Sequence, residues 1–144
     1  MNKIIVDDGL KTYTIENKRG DYLGEFTFNP SDTNIIARHE EVIEFINNLT
    51  LPENEDKESI KEAEKLLKEK IDYLLNADTS QTFFKICGPL TPLVSGETFV
   101  ENIIAAIGTV FEKEMGVRMK KANERINKYT QKYKKWVPMN CPPL

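Results

Sequence analysis

The single histidine of the chain, His39, limits the catalytic chemistry that the sequence supports. A metal site built on a pair of histidines is impossible, and a Ser-His-Asp or Cys-His arrangement would have to use His39. This residue falls on the apolar stripe of a predicted helix, where a lone histidine is more often packed at the edge of a core than poised as a base. An enzyme would need a concave site around His39, whereas we expect its side chain to be packed.

The carboxylates and glycines also lack an active-site pattern. Glutamates and lysines mix at helix-surface spacings, as in Glu58, Lys61 and Glu62, whereas acid–base catalysis needs an apolar cleft that shifts the pKa of at least one carboxyl group. Neither Gly88 nor Gly96 belongs to a phosphate-binding loop. We therefore predict no enzymatic activity, no catalytic residue and no cofactor.

Metal-binding spacings are missing as well. The Asp-Asp-Gly sequence at residues 7–9 lacks the further oxygen ligands of a calcium loop. Cys87 and Cys141 are far apart, and neither has a second cysteine or a histidine beside it, which excludes zinc-knuckle spacing. The sequence predicts no metal site and two free thiols, as expected of a cytosolic protein.

Length and hydropathy predict a cytoplasmic, single-domain protein. The 144 residues suit one domain. The first ten residues have only three consecutive apolar side chains before two aspartates, which is too few for a signal peptide. No apolar run approaches the roughly 20 residues of a membrane span, so we expect no membrane contact.

The most regular pattern lies near the C-terminus. From Met115 to Trp136, apolar or aromatic residues recur at alternating spacings of 4 and 3, which is a heptad pattern. Methionine and aromatic side chains suit adaptable contact with another helix. The alternative is that the stripe fills the core of its own chain. The residues predicted to bind a partner or to mediate self-association are Met115, Met119, Ile126, Tyr129, Tyr133 and Trp136.

The same segment is strongly basic. Residues 112–136 carry 9 Lys or Arg against 3 Glu, whereas residues 37–78 carry 12 Asp or Glu against 6 Lys or Arg. A basic helix with interleaved aromatics could follow a phosphate backbone, so a nucleic-acid-binding module is an alternative. The complementary charges of the two regions could equally guide homo-oligomer formation or partner docking.

The elements that position these residues begin with a hairpin. Period-two alternation places Tyr13 and Ile15 on one face of a first strand and Phe26 and Phe28 on one face of a second strand, with a glycine-containing loop between them. After Pro30 the period becomes helical. The small polar residues that follow, Ser31 or Asp32, would cap the first helix.

Three main helices follow the hairpin. The first carries an apolar stripe from Ile35 to Leu49, the second spans about residues 57–76, and the third starts near Ser95 with Glu97 in its first turn. A short segment at residues 81–87 carries Phe83 and Phe84, which are interpreted either as core or as a second apolar anchor. We predict a mainly helical α+β domain over residues 1–136, with a hairpin within 1–29, helices within 31–136 and an extended tail at 137–144.

The chain resembles small tail proteins of siphophages and prophages of Gram-positive bacteria. The resemblance rests on a β-segment that leads into a helix, on a small acidic chain with further helices. The β-segment runs through Phe26-Thr27-Phe28-Asn29-Pro30-Ser31-Asp32-Thr33-Asn34, and the helix carries Arg38 and Glu40-Glu41. Those proteins occupy the gene position of the tail assembly chaperone. The resemblance is clearest over residues 1–50 and extends, at the level of helix order, to residue 136.

The resemblance implies a function without catalysis. Tail assembly chaperones coat the tape-measure protein, keep it soluble and recruit tail tube subunits. For this chain it implies self-association and binding to helical segments of a tape-measure or tail tube protein in the host cytosol. A structural virion component is the alternative within the same class.

Overall fold

A computed structural model describes residues 2–49 and 57–134 of the chain, with side chains through residue 127. It confirms the α+β architecture, a two-stranded antiparallel sheet followed by a mainly helical part. Residues 51–56, between the first two predicted helices, and the predicted tail at 137–144 lie outside the described residues. In chain order the described elements are β1 (Lys11–Glu16), β2 (Tyr22–Phe28), α1 (Asn34–Asn47), α2 (Lys57–Leu75), α3 (Ser80–Phe84) and α4 (Phe99–Lys134).

The hairpin presents one aromatic face to the helices. Tyr13 pairs with Phe26, and the ring centroids of Phe26 and Phe28 lie 5.4 Å apart. Phe28 is fully buried, and Phe26 also contacts Phe83 of α3, with 4.8 Å between the centroids. An isolated two-stranded sheet is marginal in water, so this face must pack on helices to be stable.

Helix α1 begins slightly later than the sequence predicts. Thr33 occupies the N-cap position and makes no hydrogen bond through its side chain. The Asp32 carboxylate accepts the backbone N–H of Asn34 at 2.9 Å and lies 3.3 Å from Arg38 Nη1. Asp32 therefore satisfies a free N–H at the helix start from one position further upstream.

The short helix α3 is also shorter than predicted, and α2 supplies its cap. Asp72 of α2 accepts the backbone N–H groups of Thr79 and Ser80 at 2.8 and 2.7 Å, and it accepts the Ser80 hydroxyl at 2.7 Å. Carboxylate acceptors stabilise free N–H groups at a helix start. Since this cap comes from an earlier helix, α2 fixes the place where α3 begins.

Helix α4 starts at Phe99 and not near Ser95. The Thr98 backbone N–H donates to the Glu101 carboxylate at 2.8 Å, while the Glu101 N–H lies 3.4 Å from the Thr98 hydroxyl. This reciprocal pair is a capping box. From there α4 continues for 36 residues, a length of about 54 Å.

The core lies where the hairpin face, α1, α2, α3 and the first part of α4 meet. Its buried members on α2 recur at helical spacing, with Leu67, Ile71 and Leu74 almost fully enclosed. The described core residues are Phe28, Ile35, Val42, Leu67, Ile71, Leu74, Leu75, Phe83, Val100, Ile103, Ile104 and Ile107.

Candidate docking surface on helix α4

Helix α4 has two halves with different surroundings, a first half over residues 99–118 and a second half over residues 119–134. In the first half, Val100 and Ile107 are buried in the core. In the second half, all residues from 119 to 127 are exposed. Met119 is 48% exposed and Ile126 is 59% exposed. Residues 119–127 of α4 therefore extend away from the described body, with Met119 and Ile126 uncovered.

The boundary between the two halves is fixed by Arg118. Its Nη1 atom donates to the Ser31 hydroxyl at 2.8 Å and to the Gly9 carbonyl at 3.1 Å. Asn29 holds the same junction, because its Nδ2 donates to the Asp8 carbonyl at 3.0 Å. The polar cluster after β2 thus joins the N-terminal segment, the hairpin and α4.

The junction requires a glycine at position 9 because of the backbone conformation there and the close approach of Asn29. Its φ is +73°, a backbone conformation that favours glycine. A Cβ atom built on Gly9 would lie 2.7 Å from Asn29 Nδ2, too close for any side chain to fit without movement.

An ion pair supports the same boundary. Lys11 Nζ lies 2.9 Å from Glu114 Oε1, and Arg118 Nε lies 3.6 Å from Glu114 Oε2. The hydrogen bond from Lys11 lowers the pKa of Glu114, and the same bond raises the pKa of Lys11. The hairpin and α4 are therefore linked by charge at the last point where they meet.

An open groove separates α1 from the first half of α4. Two adjoining clefts of 410 and 260 Å³ share His39, Gly108 and Glu112 in their walls. We call these two clefts together the α1–α4 groove. Its floor is apolar because Ile43 and Ile46 come from α1 and Ile104 comes from α4.

His39 differs from the sequence expectation. It is exposed and lines the α1–α4 groove instead of being packed at a core edge. The reason lies on the opposite wall, where Ala105 and Gly108 of α4 have side chains too small to cover it. The groove that the histidine lines is the concave feature that an enzyme hypothesis would require, and its lining combines apolar side chains with Glu40, Glu101 and Glu112.

The groove and the exposed half of α4 lie along one face of the helix. The residues of α4 that line the larger cleft include four at spacings of 4, 3 and 4, and the heptad residues from Met115 continue this series without a break. Such spacing keeps side chains on one side of a helix. We call this set the α4 seam, and its described members are Glu101, Ala105, Gly108, Glu112, Met115, Met119, Ala122 and Ile126.

The predicted docking residues are distributed along this seam. Met115 is half-buried at the boundary, and Met119 and Ile126 are exposed. Tyr129 and Tyr133 lie on α4, where the structure gives the backbone only, and Trp136 lies outside the described residues. Their role in partner binding or self-association remains a prediction.

Sequence reasoning missed the first half of the seam. Glu101, Ala105, Gly108 and Glu112 keep the heptad spacing, but none is a large apolar residue, so a search for hydrophobic repeats stops at Met115. It also missed Arg118, since a basic residue among many others gives no sign that it bonds the N-terminal segment.

A second apolar groove lies on the hairpin side of α4. Clefts of 450 and 210 Å³ there share Ile15, Phe83 and Ile103. Phe83 is buried, and Phe84 packs edge-on against Phe99 with 6.0 Å between the ring centroids. Phe83 therefore belongs to the core, as the simpler of the two interpretations predicts, and the partly buried Phe84 packs against the core.

Residues 2–49 and 57–134 contain no group of three or more potential metal ligands. Cys87 is a half-buried free thiol, and Cys141 lies outside the described part. Among the helices of the described part, none is both long and apolar enough to cross a membrane.

Comparisons of the chain with protein-family models, with curated proteins and with solved structures found no match.

Proposed function

We propose that this protein is a non-enzymatic assembly factor that binds a helical segment of another protein through the α4 seam. The observation that carries the proposal is the exposure of Met119 and Ile126 on a helix half that covers nothing in the described body. Uncovered apolar side chains at heptad spacing are typical of helix-to-helix docking. Methionine at two successive seam positions allows the surface to adapt to different helices.

In line with the resemblance to small siphophage tail proteins, we propose a role in tail assembly. The partner would be the tape-measure protein or the tail tube protein, and the protein would act as a chaperone in the bacterial cytoplasm. A long amphipathic partner needs a cover that is apolar where it binds and charged outside. The second half of α4 suits this role, because Met119 and Ile126 are exposed and residues 119–134 contain six Lys or Arg and one Glu.

Co-expression with a neighbouring gene product tests this role. We expect a tape-measure gene immediately downstream, and we expect its product to be soluble and to co-purify with the protein. Replacing Met119 and Ile126 together by Asp should abolish both effects, because two charges would then interrupt the apolar seam.

A matched control uses the same helix and adds the same charge. Val117 and Asn127 are exposed on α4, and neither lies three or four residues from Met119 or Ile126, so their joint replacement by Asp should leave co-purification unchanged. Equal loss with both double variants would contradict a specific seam, and a locus without a tape-measure gene would contradict the role in tail assembly. Presence of the protein in purified particles would instead indicate a virion component.

The basic surface of the same helix half supports a second candidate, a nucleic-acid-binding module. Such binding would weaken steeply with added salt and on neutralising Lys128, Lys132 and Lys135. Fluorescence anisotropy with a labelled DNA or RNA duplex at low salt distinguishes the two functions. An absence of binding at low salt would eliminate this candidate.

A further inference from the structure

We propose that the α1–α4 groove binds the second half of α4 from another copy of the same chain, so that two copies pair antiparallel about a two-fold axis near Met119. This deepens the proposed function, because it uses the α4 seam and identifies α4 of a second copy as a helix that the seam binds. Three features carry the inference: the sizes of the seam residues, the distribution of charge and the continuity of α4.

The two halves of the seam differ in size in a complementary way. The half that lines the groove offers Ala105 and Gly108, where no atom lies within 4 Å of a Cβ added to Gly108. The other half offers Met119 and Ile126, which are large and exposed. Close packing between helices favours large side chains opposite small ones, and the sequence has two more large residues, Tyr129 and Tyr133, further along the half that would lie over Ala105 and Gly108.

The charges of the two halves are also opposite. The described residues that line the groove include three glutamates, Glu40, Glu101 and Glu112, and no lysine or arginine. Residues 119–134 contain six Lys or Arg against one Glu. Complementary potentials favour this pairing and oppose a parallel one, in which basic halves would lie side by side.

The occupant of the groove must come from a second copy. Helix α4 is continuous from Phe99 to Lys134, so Ile126 lies about 27 Å along the helix axis from Gly108. A continuous helix cannot fold its own second half back onto its first half. Two copies with antiparallel helices bring these halves together twice, which is the self-complementary contact of a two-fold dimer.

The heptad spacing sets the register of this pairing. With Met119 opposite its counterpart at the axis, Met115 faces Ala122 and Glu112 falls beside Ile126 and Arg125 of the other copy. By sequence position, Gly108 and Ala105 then fall opposite Tyr129 and Tyr133. In this register the acidic Glu112 lies beside the basic Arg125, and the large Met115 faces the small Ala122.

Analytical ultracentrifugation of the full chain at tens of micromolar tests the groove. We expect a dimer at low salt that weakens as salt increases. Gly108→Gln should weaken the dimer at least about tenfold, because the new side chain fills the groove. The monomer should tolerate it, since glutamine favours a helix more than glycine does.

Val117→Gln is the control for this variant. Val117 is exposed on the same helix, but it lies on the side of α4 away from Met115 and Met119, so its replacement should change the dissociation constant less than about twofold. A monomeric wild-type protein, or equal effects of the two replacements, would overturn the proposal.

Charge reversal tests the antiparallel register. Glu112→Lys and Arg125→Glu should each weaken the dimer severalfold, and the double variant should recover most of the loss because both copies regain opposite charges at that contact. Losses that add in the double variant would overturn the register.

The outcomes also separate this inference from the proposed function. A monomeric protein that still loses its co-expressed partner through the Asp replacements at Met119 and Ile126 would overturn the dimer alone. A dimer that responds as described, but has no effect on the solubility of the tape-measure product, would support the pairing and contradict the assembly role.

Discussion

The two halves of α4 share one helix and one heptad seam, but different forces act on them. The first half buries Val100, Ile103 and Ile107 in the core, so its helical state is stabilised by packing. The second half exposes every residue from 119 to 127, and isolated helices of this length are marginal in water. The contrast teaches that a regular apolar pattern alone does not distinguish a core helix from a docking helix.

The transition between the halves occurs at a built junction. Arg118 bonds the Ser31 hydroxyl and the Gly9 carbonyl, while Glu114 pairs with Lys11. Polar contacts of defined geometry fix the direction in which the exposed half leaves the body. The junction therefore presents the seam at a set angle.

The largest difference between the halves is expected for apolar truncation. Ile107→Ala should lower the free energy of unfolding by about 2–5 kcal/mol, because it leaves a cavity in a buried cluster. Ile126→Ala should change it by less than about 0.5 kcal/mol in dilute protein. Urea unfolding followed by circular dichroism measures both values, and a comparable loss from Ile126→Ala would contradict the contrast.

The junction should show an intermediate effect. Arg118→Gln should lower the free energy of unfolding by about 1–3 kcal/mol, because it leaves the Ser31 hydroxyl and the Gly9 carbonyl without their charged donor. Arg125→Gln is the control, since Arg125 is exposed in the second half. Equal stabilities for the two variants, measured under the same dilute conditions, would show that the junction is not structural.

A smaller effect is expected at the start of the first half. Thr98→Ala should cost about 1 kcal/mol, because it removes one side of the capping box with Glu101. Thr109→Ala in the middle of the same helix should cost nothing or stabilise slightly, since alanine has the higher helix propensity. Thermal unfolding of both variants measures the difference, and the opposite order would refute the capping role.

The smallest effect concerns pH. Because the hydrogen bond from Lys11 lowers the folded-state pKa of Glu114, the pair stabilises the protein above the unfolded-state pKa of Glu114. This contribution is lost as the pH falls through the lower, folded-state pKa. Glu114→Gln should therefore reduce the fall in melting temperature on acidification below about pH 4.5. An unchanged slope would show that the pair contributes nothing.

The same linkage has the opposite sign for Lys11. The pKa of Lys11 is raised in the folded state, so its contribution is complete below the ordinary lysine pKa and is lost as the pH rises through the raised value. Lys11→Met should therefore flatten the alkaline fall in melting temperature, and Lys3→Met provides a control within the exposed N-terminal segment.

The sequence predicts local periods better than it predicts tertiary caps. Alternating residues identify the hairpin, and apolar spacing identifies the buried face of α2, because both depend on near neighbours in the chain. The start of α3 is set by Asp72 and the junction is set by Arg118, and both contacts join segments that are distant in sequence. No local pattern reveals such partners.

The candidate site was predictable only in its apolar half. Met119 and Ile126 stand out at heptad spacing, whereas Ala105 and Gly108 become part of the same surface only when the groove beside α1 is known. Small residues give no hydrophobic signal, but in a groove they provide the space that a second helix needs.

Hydrogen exchange at two protein concentrations tests the central claim most directly, namely that the second half of α4 is a docking surface and not part of the fold of its own chain. Backbone amides of residues 119–134 should exchange rapidly in dilute protein and become protected at tens of micromolar, while those of residues 103–107 stay protected at both. Exchange of residues 119–134 that is slow at both concentrations would contradict this claim, and exchange that is fast at both would contradict the pairing of two copies.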